Sequence, residues 1–338
     1  MQTASTERGF RPQGIDQEVR EVDGIPIKLF CSNIRPGNID WQSVRFAGGT
    51  GNEGNIVLVE ALESFGSTIH VEDQQGRDQR IYQGDKFLGV LANRHSGTSE
   101  SGNIPTEGID MDSTQELHLL STGGIIGINT GIPRTMRQEP LRLRPIGLVA
   151  NHDGKPIDLI EQFGGHHETL NDSAPIVMVC GTSAEVGKTT TSAALIRALK
   201  EQGLKTGGAK FAGTGRMRDI LSLRDAGAFP WMDFPDVGLP TTYTSAERFT
   251  MGTYTLFNLL NSGNPKPDII VAEAGGDPIE ANIPTFLSNK SLMRNVRSIV
   301  LVSGDVMGMM GTVDYLRRFT DVPLFLADPK DRNPVSTR

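Results

Sequence analysis

At about 100–200 residues per domain, a chain of 338 residues points to two domains and can bury a sizeable core, which excludes a disulfide-stapled miniprotein. Its 33 basic and 40 acidic side chains leave a formal charge of −7, so nucleic acid is not expected as a partner and an anionic ligand needs a local basic site. Hydrophobic residues make up 37% of the chain, and no apolar run approaches the ~18 residues of a membrane span, so no membrane partner is expected either. Only Cys31 and Cys180 are present, too few for a disulfide framework or a four-cysteine zinc site and suited to a reducing compartment. The opening stretch MQTASTERGFRPQGIDQEVREV is charged and has no apolar h-region, so a cytoplasmic protein without a secretory signal is expected.

Residues 1–173 read as a smaller β-rich domain that supplies substrate binding. IPIKLFC (25–31), SVRFA (43–47), STIHV (67–71), KFLGVLA (86–92), GGIIGIN (123–129) and LRLRPIGLVA (141–150) are predicted strands, separated by Gly, Asn, Asp and Pro. Gly48–Asn55 is glycine-rich and is expected to lead into a helix over IVLVEALESFG (56–66), so its backbone reads either as a tight turn or as an anion-binding nest. Asn93, Arg94 and His95 end a strand before HSGTSESGNIPTE (95–107), a predicted mobile loop; Arg94 reads as a surface ion pair or a carboxylate clamp. Asn151–Gly154 is a predicted hairpin turn, and His166 and His167 lie in the interdomain linker, where adjacent side chains diverge too much for a metal site.

Residues 174–338 change texture. PIVMVC (175–180) is a continuous apolar run fit for a strand buried on both faces of a parallel sheet, and Thr189–Glu201 follows as a helix ended by Gly203. KTGGAKF (205–211), DIIVAEA (268–274), SIVLVSG (298–304) and VPLFLA (322–327) are further predicted strands. Helices are predicted over 216–227 and from Ala246 to Leu260, the second opened by a capping box of Thr244 and Glu247. Strands alternating with helices give the pattern of a doubly wound, mainly parallel α/β domain.

Between the first strand and helix of this domain lies Gly181-Thr182-Ser183-Ala184-Glu185-Val186-Gly187-Lys188-Thr189. Strand, glycine loop, Gly-Lys-Thr and helix form a P-loop: glycines turn backbone N–H groups toward phosphates, the helix N-terminus adds positive potential, Lys188 reaches the β and γ phosphates, and Thr189 can ligate Mg²⁺. ATP and Mg²⁺ are therefore the expected cofactors, with Gly181, Thr182, Glu185, Val186, Gly187, Lys188, Thr189 and Thr190 around the nucleotide. Glu273 ends a predicted buried strand, where the metal needs an oxygen ligand.

Five residues separate Gly181 from Gly187, and GTSAEVGKT closely resembles the loop of dethiobiotin synthetase and related P-loop ligases and cobyrinate amide synthases. Lys210-Phe-Ala-Gly-Thr214-Gly215 resembles that family's second segment and Val271-Ala-Glu273-Ala-Gly275-Gly276 its third, in the same order; the resemblance covers the second half only. It implies that Lys210 binds the reacting carbamate and the transferring phosphate, that the Thr214 hydroxyl assists, and that Glu273 binds Mg²⁺. A second metal carboxylate is implied after Lys210, with Asp219 preferred over Asp225. The family's loop threonine is Ala184 here, and its proline after the lysine is Phe211.

The expected function is an ATP- and Mg²⁺-dependent C–N ligase that activates a carboxylate or carbamate as an acyl phosphate for attack by an amine, with Lys188, Lys210 and Thr214 catalytic. Its partners are then a small molecule with a carboxylate, an amine or both, and a further copy of the chain in a homo-oligomer. A small-molecule kinase shares every phosphate-binding part. A non-enzymatic P-loop nucleotide switch fits less well, since Thr182 and Ser183 stand where partitioning ATPases carry an extra lysine. Asn289-Lys290-Ser291-Leu292 lacks the aspartate that GTPase-type base recognition needs.

Overall fold

The computed structural model describes residues 21–35 and 39–328; the opening stretch with no h-region lies, up to residue 20, outside the described residues. The β-rich half is built around a closed ring of five strands. Ile125–Gly131 pairs with Leu117–Ser121, which pairs with Arg142–Ala150, then Ile56–Ala61, then Lys86–Leu91. The last returns to the first through the parallel pairs Ile125↔Val90 and Ile126↔Leu91. Closure removes the exposed edges of the central strands. Phe87, Leu88, Leu91, Leu119, Ile126 and Leu148 belong to the buried core of this half.

Three expectations fail in this half. The predicted helix over 56–66 is instead the strand Ile56–Ala61, paired on both sides. A short apolar run does not separate a buried strand from a helix by period, and here Ile56, Val57 and Val59 suit a strand with partners on both edges. Gly48–Asn55 therefore precedes no helix, and Gly51 within it serves close packing: a Cβ there would lie 2.6 Å from Leu91 Cδ1. The predicted mobile loop over 95–107 carries the strand Ser101–Asn103 on Ile125–Gly131, and Glu100 is buried within it. Leu117–Ser121 is a strand that sequence reading passed over.

The second half is a six-stranded parallel sheet in the spatial order Trp231–Asp233, Thr206–Ala212, Ile269–Ala274, Ile176–Gly181, Val296–Val302, Leu324–Ala327. Helices Lys188–Glu201 and Met217–Asp225 cover one face through Ile196, Ile220 and Leu223, packed with Val179 and Val271. Helices Ala246–Ser262 and Ile283–Ser288 cover the other, where the rings of Phe211 and Phe286 stack at 4.3 Å and Phe257 joins them. This is a doubly wound α/β domain preceded by a smaller β-rich domain. The long helix is capped by Ser245, which accepts from the Arg248 amide at 3.2 Å, one residue later than the expected Thr244 box. No helix among the described residues is long and apolar enough to cross a membrane.

The two halves share buried charge. Arg35, from the β-rich half, bonds Asp233 and reaches Asp236 at 3.2 Å at the end of the sheet's edge strand. Arg35 and Asp233 are 5% and 0% exposed, so neither charge has water to fall back on. Burial pushes the Asp233 carboxyl well above the usual carboxylate range, and Arg35 opposes that rise. Removing the arginine strands a buried carboxylate, so Arg35→Ala is expected to cost about 3–5 kcal/mol in urea unfolding. An unchanged midpoint would show that the triad contributes nothing across this boundary.

Candidate phosphate-binding site

The P-loop runs from Gly181 at the end of its strand to the helix that starts at Lys188. Gly187 is the N-cap residue with φ 104°, a left-handed conformation that glycine adopts without Cβ strain, and no side chain caps the helix. The first-turn N–H groups are thus left for a ligand rather than a side chain. Gly181 is needed for close approach, because a Cβ there would lie 2.6 Å from Val186 Cγ2 and 2.9 Å from Lys188 Cγ. Val186 is buried beneath the loop, whereas Glu185 and Thr190 are exposed at its rim. Thr182 is tied to the neighbouring strand by its amide, which donates to the Val302 carbonyl at 3.0 Å.

Lys188 is 6% exposed, and its Nζ donates to the Ser183 carbonyl at 2.6 Å, so the ammonium lies folded back within its own loop. Burial lowers its pKa, against the pull of Glu273. Next to it, the Thr189 hydroxyl donates to Glu273 Oε1 at 3.0 Å. The second oxygen of that carboxylate, Oε2, is buried without a hydrogen-bond partner among the described atoms. Burial raises the Glu273 pKa and Asp219 adds to the rise, while Lys210 and Lys188 oppose it.

Strand register explains why these groups meet. Glu273 stands opposite Val179 on one side and opposite Lys210 on the other, so the P-loop strand, the glutamate and the lysine occupy neighbouring rows at the carboxyl ends of parallel strands. Ligands of open α/β sheets bind at these ends. Lys210 is 5% exposed; burial works against its charge, but Asp219 and Glu273 more than compensate and its pKa is raised. Its Nζ bonds Asp219, in the first turn of helix Met217–Asp225, and lies 3.4 Å from the Thr214 carbonyl. Lys210 in turn holds the Asp219 carboxyl below its usual range despite burial.

Most of the sequence-derived residues therefore converge: Gly181, Gly187, Lys188, Thr189, Lys210, Asp219 and Glu273. Thr214 meets Lys210 through its backbone carbonyl. Asp225 lies apart, exposed and paired with Arg224 at 2.8 Å, which leaves Asp219 as the carboxylate beside the lysine. Arg94 is in the expected ion pair, though half-buried: its Nη1 bonds buried Glu100 at 3.0 Å and also the Leu120 carbonyl, which leaves that nitrogen unavailable to clamp a ligand. His166 and His167 diverge, to the Val237 carbonyl at 2.9 Å and to Asn258 at 2.6 Å.

Among the described residues no group of three or more His, Cys, Asp or Glu could hold a metal by itself. Mg²⁺ does not require one, since it is commonly bound by one or two carboxylates together with water and substrate phosphates. The Thr189 hydroxyl and the orphaned Oε2 of Glu273 fit that mode, and the uncapped helix start fits a phosphate chain. Sequence reading missed Asp277, whose charge acts on Lys188, and the contacts from the β-rich half; Gly275-Gly276 just before Asp277 was the available signal.

Glu273→Gln keeps an acceptor for Thr189 but removes the charge. It is expected to raise the Mg²⁺ concentration required for nucleotide turnover by about 10–100-fold while metal-free nucleotide affinity does not fall. A metal titration checks this, and an unchanged Mg²⁺ requirement would make Glu273 a purely structural residue.

Residues 163–225 match the family model described as a domain of unknown function, DUF1611 C-terminal P-loop domain. No curated protein matches the chain. Among solved structures, the chain is similar to the signal recognition particle receptor FtsY from Elizabethkingia anophelis, at 20% identity and TM-score 0.31, covering 51% of this chain and 59% of that one. It is similar also to the kinase domain of the Escherichia coli tyrosine kinase ETK, at 14% identity and TM-score 0.29, covering 48% and 70%. A plasmid partition protein from Borrelia burgdorferi, bound to AMPPNP, gives 14% identity and TM-score 0.32 over 49% and 81%. The second half of the chain is thus a P-loop α/β domain, on its own loop geometry and on the family match.

Proposed function

We propose that the protein is an ATP- and Mg²⁺-dependent C–N ligase similar to dethiobiotin synthetase: a substrate carboxylate or carbamate takes the γ-phosphoryl group, and an amine then displaces phosphate from the acyl carbon. One observation carries this reading. A second buried lysine, Lys210, stands opposite Glu273, whose strand lies between the Lys210 strand and the P-loop strand. A loop that only holds nucleotide does not need it; a site that moves a phosphoryl group to a carboxylate must balance negative charge on both partners.

In this reading the Lys188 ammonium leaves the Ser183 carbonyl and engages oxygens of the β and γ phosphates, while the amides after Gly187 hold the chain of phosphates in place. Thr189 and Glu273 would hold the metal, and Asp219 would assist as the second carboxylate. Mg²⁺, when bound, supplies charge neutralisation on the phosphate oxygens. Lys210 releases part of its bond to Asp219 and places its charge between the acceptor oxygen and the transferring group. The acceptor oxygen forms a bond to the γ-phosphorus as the bond to the bridging oxygen breaks, giving ADP. The amine then bonds the acyl carbon, the carbon–oxygen bond to phosphate breaks, and the ammonium proton passes to solvent. Residues 174–338 carry the phosphate contacts and residues 1–173 the substrate contacts, in a cytoplasmic homo-oligomer with a small-molecule substrate.

Product analysis tests the reaction. ATP turnover should yield ADP, and hydroxylamine in place of the amine should trap a hydroxamate, because a phosphorylated carboxylate is electrophilic at carbon and a phosphorylated alcohol is not. Lys188→Ala should abolish both, since no other loop side chain offers a cation to the β and γ phosphates. AMP as product would end the mechanism. ADP with a stable phosphorylated product and no hydroxamate would make the protein a kinase, and binding without turnover a nucleotide switch.

A further inference from the structure

Helix Met217–Asp225 carries Asp219, the partner of Lys210, in its first turn. A helix start leaves its first amides without intrahelical acceptors, and a side chain at the N-cap usually serves one of them. Here the N-cap residue is Arg216, which makes no side-chain cap bond. The acceptor comes from the other half of the chain: Glu72 Oε2 accepts from the Met217 amide at 2.6 Å, and Oε1 accepts from the Arg218 amide at 2.8 Å. A carboxylate at this end of a helix also meets the positive end of its dipole.

Glu72 is in turn held rigidly by the β-rich half. Its side chain is fully buried and accepts from Ser32 Oγ at 2.6 Å. Its amide donates to the Thr122 carbonyl at 2.7 Å, and its carbonyl accepts from the Ser32 amide at 2.8 Å. One residue along, Asn33 Nδ2 donates to both the Gly123 carbonyl at 2.8 Å and the Gly215 carbonyl at 3.1 Å. The fit there is backbone against backbone, since a Cβ on Gly123 would lie 2.0 Å from the Gly215 oxygen. Residues 215–218, between Thr214 and Asp219, are gripped at both ends by the β-rich half.

We propose that Glu72 is a positioning residue for the phosphoryl-transfer site: by capping helix Met217–Asp225 from the β-rich half, it sets where Asp219 stands and hence where Lys210 points. It touches neither nucleotide nor substrate. The β-rich half, beyond any substrate contact, then completes the lysine's environment, and the P-loop sheet alone holds the nucleotide without a correctly placed second lysine. The proposal rests on the phosphoryl-transfer reading of Lys210 for its effect on turnover, but not for the existence of the clasp.

Amide-resolved hydrogen exchange on the intact chain reads the clasp directly. The Met217 and Arg218 amides should exchange as slowly as core strand amides, and exchange at the rate of open surface amides would overturn the proposal. In Glu72→Gln an N–H₂ group replaces one acceptor, so both amides should exchange faster and ATP turnover should fall by about 10–100-fold with the Kd for ATP unchanged. If Glu72 acts through Asp219, the double variant Glu72→Gln/Asp219→Asn loses no more turnover than Asp219→Asn alone. Additive losses would instead show an effect independent of Asp219 and overturn the proposal. Should Glu72→Gln not fold, Ser32→Ala leaves the carboxylate in place and loosens it; a smaller loss in the same direction supports the proposal, and unchanged exchange and turnover refute it. A parent protein that turns over no ATP with any acceptor would sink the ligase reading while the exchange measurements still decide the clasp.

Discussion

Four charged side chains, three buried and the fourth, Asp219, partly exposed, are the constraint around which the C-terminal half is organised. Lys188, Lys210 and Glu273 are each nearly buried, and Asp219 is bonded to Lys210. Isolated, any of them would be expensive to bury, and as a group they compensate one another. Their pKa directions show the balance: Asp219 lowered by Lys210, Lys210 raised by two carboxylates, Glu273 raised by burial. The parallel sheet makes the arrangement possible, because three neighbouring strands place Lys210, Glu273 and the start of the P-loop in adjacent rows at their carboxyl ends.

Such a site is only as well defined as its most mobile member. Three of the four groups sit on buried strands or at the start of the P-loop helix, whose geometry the sheet dictates. Asp219 instead sits on a short helix after a glycine turn, Gly213 to Gly215, and without outside support its position would be loose. The β-rich half supplies that support through Glu72 and Asn33, while Arg35 anchors the adjacent edge strand at Asp233, the residue opposite Lys210 in register. The edge strand beside the Lys210 strand and the segment that follows Lys210 are therefore both held by the β-rich half.

The parts legible in the sequence are those set by local rules. The P-loop is legible because strand, glycines, Gly-Lys-Thr and helix are contiguous, and Glu273 because it lies near the end of a buried strand beside that loop; the role of Lys210 is implied only by the resemblance of its segment. Asp219 is harder to separate from Asp225, since Asp219 fits the resembling pattern while Asp225 lies closer to its spacing; only the fold shows Asp225 turned to solvent beside Arg224. The strand Ile56–Ala61 reads as a helix from sequence because its pairing with residues 86–91 and 142–150 is decided by barrel closure and not by its own period. Glu72 had no local signal at all: the amide it caps is 145 residues away, and an isolated glutamate in a β-rich stretch reads as an ordinary polar residue.

The most direct measurement is a crystal structure of the intact chain with Mg²⁺ and a non-hydrolysable ATP analogue. The γ-phosphate is expected between Lys188 and Lys210 and the metal beside Thr189 and Glu273, with helix Met217–Asp225 still capped by Glu72. Nucleotide bound away from Gly181–Thr189, or bound there with Lys210 turned away from the γ-phosphate, would contradict it.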